Sequence, residues 1–108
     1  MFTRLPRLER PMRQAALRRK ITSIQERVTT LRTEISVLDE QILFLDSEVE
    51  DLHVRAISSE TPLAVKEHNE AFRHAELAHR ARRDALEQLL ESEAERDALL
   101  RQVVEEYA

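Results

Sequence analysis

The sequence predicts an all-α fold, a long antiparallel two-helix coiled-coil hairpin that we expect to dimerise into a four-helix bundle. Its 108 residues include no glycine, 35% are charged and 4% are aromatic, a composition typical of long helices. From Leu17 to Ala56, aliphatic residues recur at alternating steps of three and four. A polar segment, 58–61, then precedes a second stretch without a helix breaker after Pro62. Two arms of similar length joined by a short connection favour a hairpin.

Residues 1–10 are predicted to form a flexible basic arm, because Pro6 and Pro11 interrupt a continuous helix. The first 20 residues hold seven basic side chains and one acid, a charge of +6. Because the whole chain has a net charge of −4, the other 88 residues have a net charge of −10. Such side chains bind nucleic-acid phosphates, an anionic membrane or an acidic protein. They equally serve solubility, or dock onto Glu105 and Glu106, which a hairpin brings alongside. The candidate anion-binding residues are Arg4, Arg7, Arg10, Arg13, Arg18, Arg19 and Lys20.

The first helix is predicted over 12–57 from a heptad pattern that continues for more than five repeats. Its a positions are mainly β-branched and its d positions mainly leucine, which by themselves favour a parallel dimer. The flanking charges oppose that arrangement. In a parallel homodimer Arg27 would face Arg32 of the partner, and Glu34 would face Asp39. Both pairs repel, so another partner for this helix is favoured.

The connection is predicted at 58–61 and the second helix at 62–106. Thr61 is a suitable N-cap, since its side-chain oxygen can accept a backbone hydrogen bond from the first turn. Pro62 then suits the first helical position, where its missing N–H removes no helical hydrogen bond.

The second arm provides a row of small or aliphatic residues that mirrors the first. If the chain folds near residue 60, paired positions have numbers that sum to about 120. A row rich in alanine then faces the large aliphatic residues, and the two backbones approach closely. Arg82 and Arg96 interrupt the row, and we expect their stems to pack while their guanidinium groups reach outward. On one flank, Arg27 is expected near Glu95. The mirrored positions are Ala64, His68, Ala71, Ala75, Ala78, Arg82, Ala85, Leu89, Ser92, Arg96, Leu99 and Val103.

A second, mostly apolar stripe lies beside this seam. Its positions are spaced seven residues apart along the second arm and hold Val65, Phe72, His79, Leu86, Glu93, Leu100 and Tyr107. A two-helix hairpin cannot bury all of them, so we expect this surface to contact a second copy of the chain or another protein. The alternative is a set of separate surface apolar residues, which are normal one at a time. The predicted interface residues are Val37, Leu43, Phe44, Phe72, His79, Leu86, Leu100 and Tyr107.

Residues for chemistry are sparse, so we predict no enzymatic activity, no cofactor and no metal site. The four histidines form no i,i+4 pair and have no cysteine companion. His53 and His68 are expected to approach each other near the hairpin connection, as surface polar groups or partners of acids. There is no glycine for a phosphate-binding loop. No apolar run reaches the ~20 residues of a membrane span, and we expect a cytoplasmic protein.

The stretch "VLDEQILFLDSEVEDLHVRAISSETPLAVKEHNEAFRHAE", residues 37–76, resembles uncharacterised small helical-hairpin proteins of high-GC actinobacteria. In them an "SETPLA" turn joins two arms. This resemblance implies a bacterial helical hairpin and no activity. The architecture is also similar to FliJ-type stalks of secretion ATPases and to RsiG anti-sigma factors, which bind cyclic di-GMP. The ligand motif of the latter has no match in this sequence, so no ligand is implied.

The hypothesis that these features favour is a coiled-coil adaptor or regulatory protein that acts through protein–protein interaction. One alternative is a nucleic-acid-associated protein that binds phosphates through the basic arm. A second is a FliJ-like component of a secretion stalk, which rests on analogy of shape.

Overall fold

The computed structural model describes residues 9–107, with side chains from 10 to 106. Two α-helices make up this part of the chain: α1, Glu9–Ser59, and α2, Pro62–Tyr107. The predicted all-α helical hairpin is confirmed. The first eight residues of the predicted arm lie outside the described residues.

α1 is longer at both ends than the predicted 12–57. Glu9 and Arg10, which the prediction assigned to the arm, lie in its first turn together with Pro11. Proline is tolerated there, because the first four N–H groups of a helix have no intrahelical acceptor. At the other end, the Ser58 and Ser59 hydroxyls donate to backbone carbonyls four residues earlier, at 2.8 and 2.7 Å. α1 therefore includes two residues that the prediction placed in the connection.

The connection between the helices consists of two residues. Glu60 adopts a left-handed conformation with φ of 52°, and its N–H donates to the Ala56 carbonyl at 3.1 Å. This conformation commonly ends helices and is usually occupied by glycine. A side chain with a Cβ atom destabilises it by about 1 to 2 kcal/mol. The turn is therefore locally strained, because the chain has glutamate and not glycine at this position.

α2 begins with the predicted N-cap. The Ala64 N–H donates to the Thr61 hydroxyl oxygen at 3.2 Å, and the Val65 N–H donates to the Thr61 carbonyl at 3.2 Å. Pro62 occupies the first helical position. The cap satisfies a backbone donor that the helix itself leaves without an acceptor.

The described chain divides into two compact units. The first contains residues 9–30 and 88–107, and the second contains residues 31–87 with the connection. In the first unit, Leu17 and Val28 of α1 are buried, as are Leu89 and Ser92 of α2. Val28 is 0% exposed. Each fully buried side chain of this size contributes roughly 1.5 to 3 kcal/mol relative to exposure.

The core of the second unit pairs large residues with small ones. Leu31 and Ile42 are buried on α1. The buried residues of α2 in this unit are Ala64, Ala71, Ala75 and Ala85. In both units, the predicted seam positions of the two arms are buried or partly buried, so the sequence identified the inner side of each helix.

Candidate functional site

The strongest candidate is the α2 stripe, which we define as Val65, Phe72, His79, Leu86, Glu93, Leu100 and Tyr107. Each member up to Leu100 lies one residue after an alanine, serine or leucine of the seam, and all of these except Val65 also lie four residues after a seam position. A residue four positions on is rotated by only about 40° around an α-helix. The stripe is therefore adjacent to the seam and on one side of α2.

The apolar members of the stripe are partly uncovered. Val65, Phe72 and Leu100 are 46%, 49% and 42% exposed, and Leu86 is half-buried. The Tyr107 side chain lies outside the described part of the chain. Each of these side chains is partly in contact with water and partly packed against the hairpin. A partner surface could cover the exposed part.

The predicted interface residues of α1 point to solvent more fully. Val37, Leu43 and Phe44 are all exposed, Leu43 by 75%. Val37 and Phe44 are seven residues apart and so share one side of α1, away from the seam. Leu43 is rotated by about 100° from Phe44, so the exposed apolar residues of α1 lie on more than one side of that helix.

A groove that we call the histidine groove borders the stripe within the second unit. Its volume is about 740 Å³, and its lining includes Val49 and Ala75 from the seam and Phe72 and His79 from the stripe. Volumes of this order are typical of ligand sites. Its rim has both signs of charge, from Asp46, Glu50 and Glu76 against Arg80 and Arg83. This balance favours no single charged ligand.

Two histidines of this groove make contacts with neighbouring aromatic rings. The rings of His53 and His68 are 5.2 Å apart, as predicted for residues that meet near the connection, and the His68 and Phe72 rings are 6.4 Å apart. The Nε2 atom of His79 lies 3.0 Å from both carboxylate oxygens of Asp46. Among residues 10–106, no three histidine, cysteine or acidic side chains are placed to hold a metal ion.

The two arginines of the seam behave as predicted. Arg82 bonds Asp39 with its Nε atom at 2.5 Å. Arg96 bonds Asp97 at 3.2 Å and the Gln25 side chain at 3.0 Å. Both guanidinium groups thus turn outward from positions whose aliphatic stems are partly covered.

One predicted flank contact is different. Arg27 donates to the Gln88 side-chain oxygen at 3.1 Å, and not to Glu95 one heptad further along α2. Glu95 lies about 10 Å from Gln88 along the helix axis, and an exposed ion pair with it would contribute only tenths of a kcal/mol.

The candidate anion-binding residues are divided between described and undescribed parts of the chain. Arg4 and Arg7 lie outside the described residues. The others are exposed on α1, and Arg13 donates from Nε to Glu106 at 2.5 Å. This contact agrees with the predicted docking of basic side chains onto the acidic end of the second arm. The exposed members in α1 are Arg10, Arg13, Arg18, Arg19 and Lys20.

Sequence reasoning missed several exposed apolar residues of α2. Leu90 and Val104 are 59% and 66% exposed and lie four residues after Leu86 and Leu100. They broaden the stripe by one row. The i,i+4 relation to the stripe was the available signal, but a search for seven-residue spacing alone passes over it.

Neither α1 nor α2, over the residues described, contains an apolar segment suited to crossing a bilayer. Comparisons with protein-family models, curated proteins and solved structures gave no match.

Proposed function

We propose that this chain is a non-enzymatic coiled-coil protein that acts as an adaptor or regulator through protein–protein interaction, and that it dimerises through the α2 stripe. The observation that carries the proposal is the partial exposure of Val65, Phe72 and Leu100, which recur with the helical period on one side of α2.

The energetics of these residues favour a covered state. Covering the remaining exposed part of a large apolar side chain contributes on the order of 1 kcal/mol, and the stripe with Leu90 and Val104 offers several such side chains. Apolar residues scattered over a surface cannot all be buried by one partner. A row of them along a helix can be buried together by a single partner helix.

The histidine groove supports an interaction role better than a catalytic one. The side chains of His79 and Asp46 are 44% and 52% exposed. General acid–base catalysis gains most of its effect from groups held in dry surroundings next to a bound substrate. The half-exposed His79–Asp46 pair is instead suited to the polar rim of a protein–protein interface.

The proposal is tested by measuring mass in solution at roughly 10 to 100 µM, where contacts of this strength populate dimers. Sedimentation equilibrium is expected to give about twice the monomer mass of 12.7 kDa. Phe72→Glu is expected to shift the protein to monomer, because it places a charge in the stripe. Leu77→Glu is the matched control: Leu77 is 54% exposed on the same helix but outside the stripe.

A wild-type monomer throughout this range contradicts the proposal. Equal effects of Phe72→Glu and Leu77→Glu contradict the assignment of the interface to the stripe. Far-UV circular dichroism of both variants separates loss of association from loss of helix.

A further inference from the structure

The α2 stripe has an internal symmetry that a list of exposed residues does not show. Its seven members are equally spaced, and Leu86 is the fourth. Residues at equal distances on either side of Leu86 have matching chemistry. The symmetric pairs are Phe72 with Leu100, His79 with Glu93, and Val65 with Tyr107.

We infer that the partner of the α2 stripe is a second copy of this chain, whose α2 lies antiparallel to the first with both Leu86 side chains on a two-fold axis. The inference rests on the proposed dimerisation and adds its partner helix and register. A two-fold interface uses the same surface patch on both copies, so a stripe that matches its own reverse is what such an interface requires. In this register Phe72 meets Leu100, Leu86 meets its own copy, and His79 meets Glu93, with which it can share a hydrogen bond.

Other registers lack this match. Centring the pair on His79 sets Val65 against Glu93, and centring it on Glu93 brings two carboxylates together. Moving the two-fold axis by half a heptad from Leu86 places Glu93 of one copy against Phe72 or Leu86 of the other. A parallel arrangement also sets Glu93 against its own copy. Each alternative either buries a charge against an apolar side chain or repels, and both outcomes oppose association.

The contacts of the described structure fit the Leu86-centred register. Phe72 lines the histidine groove together with Val49 and Ala75. Leu100 of the second copy would enter this groove beside Phe72, where an apolar surface receives it. His79 holds Asp46 through Nε2. When its ring is protonated, a histidine donates from both nitrogens, and in that form the Nδ1 atom can bond Glu93 of the second copy at the same time.

The rows beside the stripe contribute as well. In this register Leu90 comes near Arg82 and Arg83 of the second copy, whose aliphatic stems can cover it, and Val104 comes near His68 of the second copy. Glu76 comes near Asp97 of the second copy, but both side chains are exposed at the rim, where water and salt screen like charges.

Cysteine cross-linking tests the register directly, because the chain has no native cysteine. Leu86→Cys alone is expected to form a disulfide-linked dimer, since the two thiols meet on the axis at a separation a disulfide can span. Phe72→Cys alone is expected to remain unlinked. A mixture of differently tagged Phe72→Cys and Leu100→Cys chains is expected to give the linked heterodimer. A parallel pair would instead link each single variant to itself.

A charge exchange provides a second test that needs no oxidation. Phe72→Glu and Leu100→Lys are each expected to raise the dimer dissociation constant by more than about 100-fold, because each disturbs two symmetric contacts. The double variant restores association to within about tenfold of wild type, since two ion pairs replace the two apolar pairs. Rescue by the double variant requires the two positions to be neighbours across the interface.

The outcomes separate this inference from the proposed function. A monomeric wild type overturns both. A dimeric wild type in which Leu86→Cys stays unlinked and the charge exchange gives no rescue overturns the register and leaves dimerisation standing. Circular dichroism of every variant identifies any that do not fold, and the charge exchange decides the register if Leu86→Cys is one of them.

Discussion

Replacing valine by alanine at Val28 and at Val54 should change the stability of the hairpin in opposite directions. Both residues lie in α1, and both substitutions remove the same two methyl groups. Val28 is 0% exposed and Val54 is 60% exposed. The pair therefore isolates the contribution of burial from that of helix propensity.

The expected magnitudes follow from these exposures. At Val28 the lost burial costs about 1.6 kcal/mol at ~0.8 kcal/mol per methyl-sized group, and the cavity left behind adds about 1 kcal/mol. Alanine is the better helix former by roughly 0.5 kcal/mol, which offsets part of the loss. The net effect of Val28→Ala is a destabilisation of about 2 kcal/mol. At Val54 little burial is lost, so the helix term dominates and Val54→Ala stabilises by up to about 0.5 kcal/mol.

Urea denaturation followed by far-UV circular dichroism measures both values. The protein concentration must be the same for all variants, because association makes apparent stability depend on it. A Val28→Ala substitution that is neutral or stabilising, as expected at Val54, would refute the assignment of Val28 to the core. A destabilisation at Val54 comparable to that at Val28 would show that its side of α1 is covered in solution.

Three further outcomes are expected. Thr61→Ala should destabilise the protein by about 1 kcal/mol in urea, since the Ala64 N–H loses its cap, whereas Thr61→Asp should not. Glu60→Gly should stabilise it by up to about 1 kcal/mol by relieving the left-handed conformation, and a loss of stability there would show that the strain is absent. Deletion of residues 1–13 should leave the oligomeric state in sedimentation unchanged; if the basic segment binds nucleic acid, the deletion should also abolish a salt-sensitive shift of DNA or RNA in gel electrophoresis.

The inner side of both helices could be predicted because it depends on spacing. Leu31 and Ile42 stand in an unbroken heptad, and Ala71 follows from reflecting that heptad about the connection. The N-cap at Thr61 was equally accessible, since a threonine followed by proline is a specific signal for the start of a helix.

Features that depend on three-dimensional side-chain placement were harder to predict. The end of α1 was placed too early because serines usually favour turns, and sequence does not show that Ser58 and Ser59 return their hydroxyls to the helix. The choice of Gln88 over Glu95 by Arg27 depends on small energy differences. The histidine groove requires His68 and His79 to lie on the same flank as Asp46, which becomes visible only once both arms are aligned.

The alanine-rich inner edge of α2 has a consequence for how such helices are interpreted. This helix turns its smallest side chains toward its companion and keeps Phe72, Leu77 and Leu90 outside. A wheel diagram of α2 in isolation would centre the inner side on the bulkier Phe72 and Leu90, which adjoin the seam, and so rotate the helix away from its true orientation. For hairpins built in this way, the reliable guide to the inner side of each helix is the complementarity of one arm to the other, because apolar content alone does not identify that side.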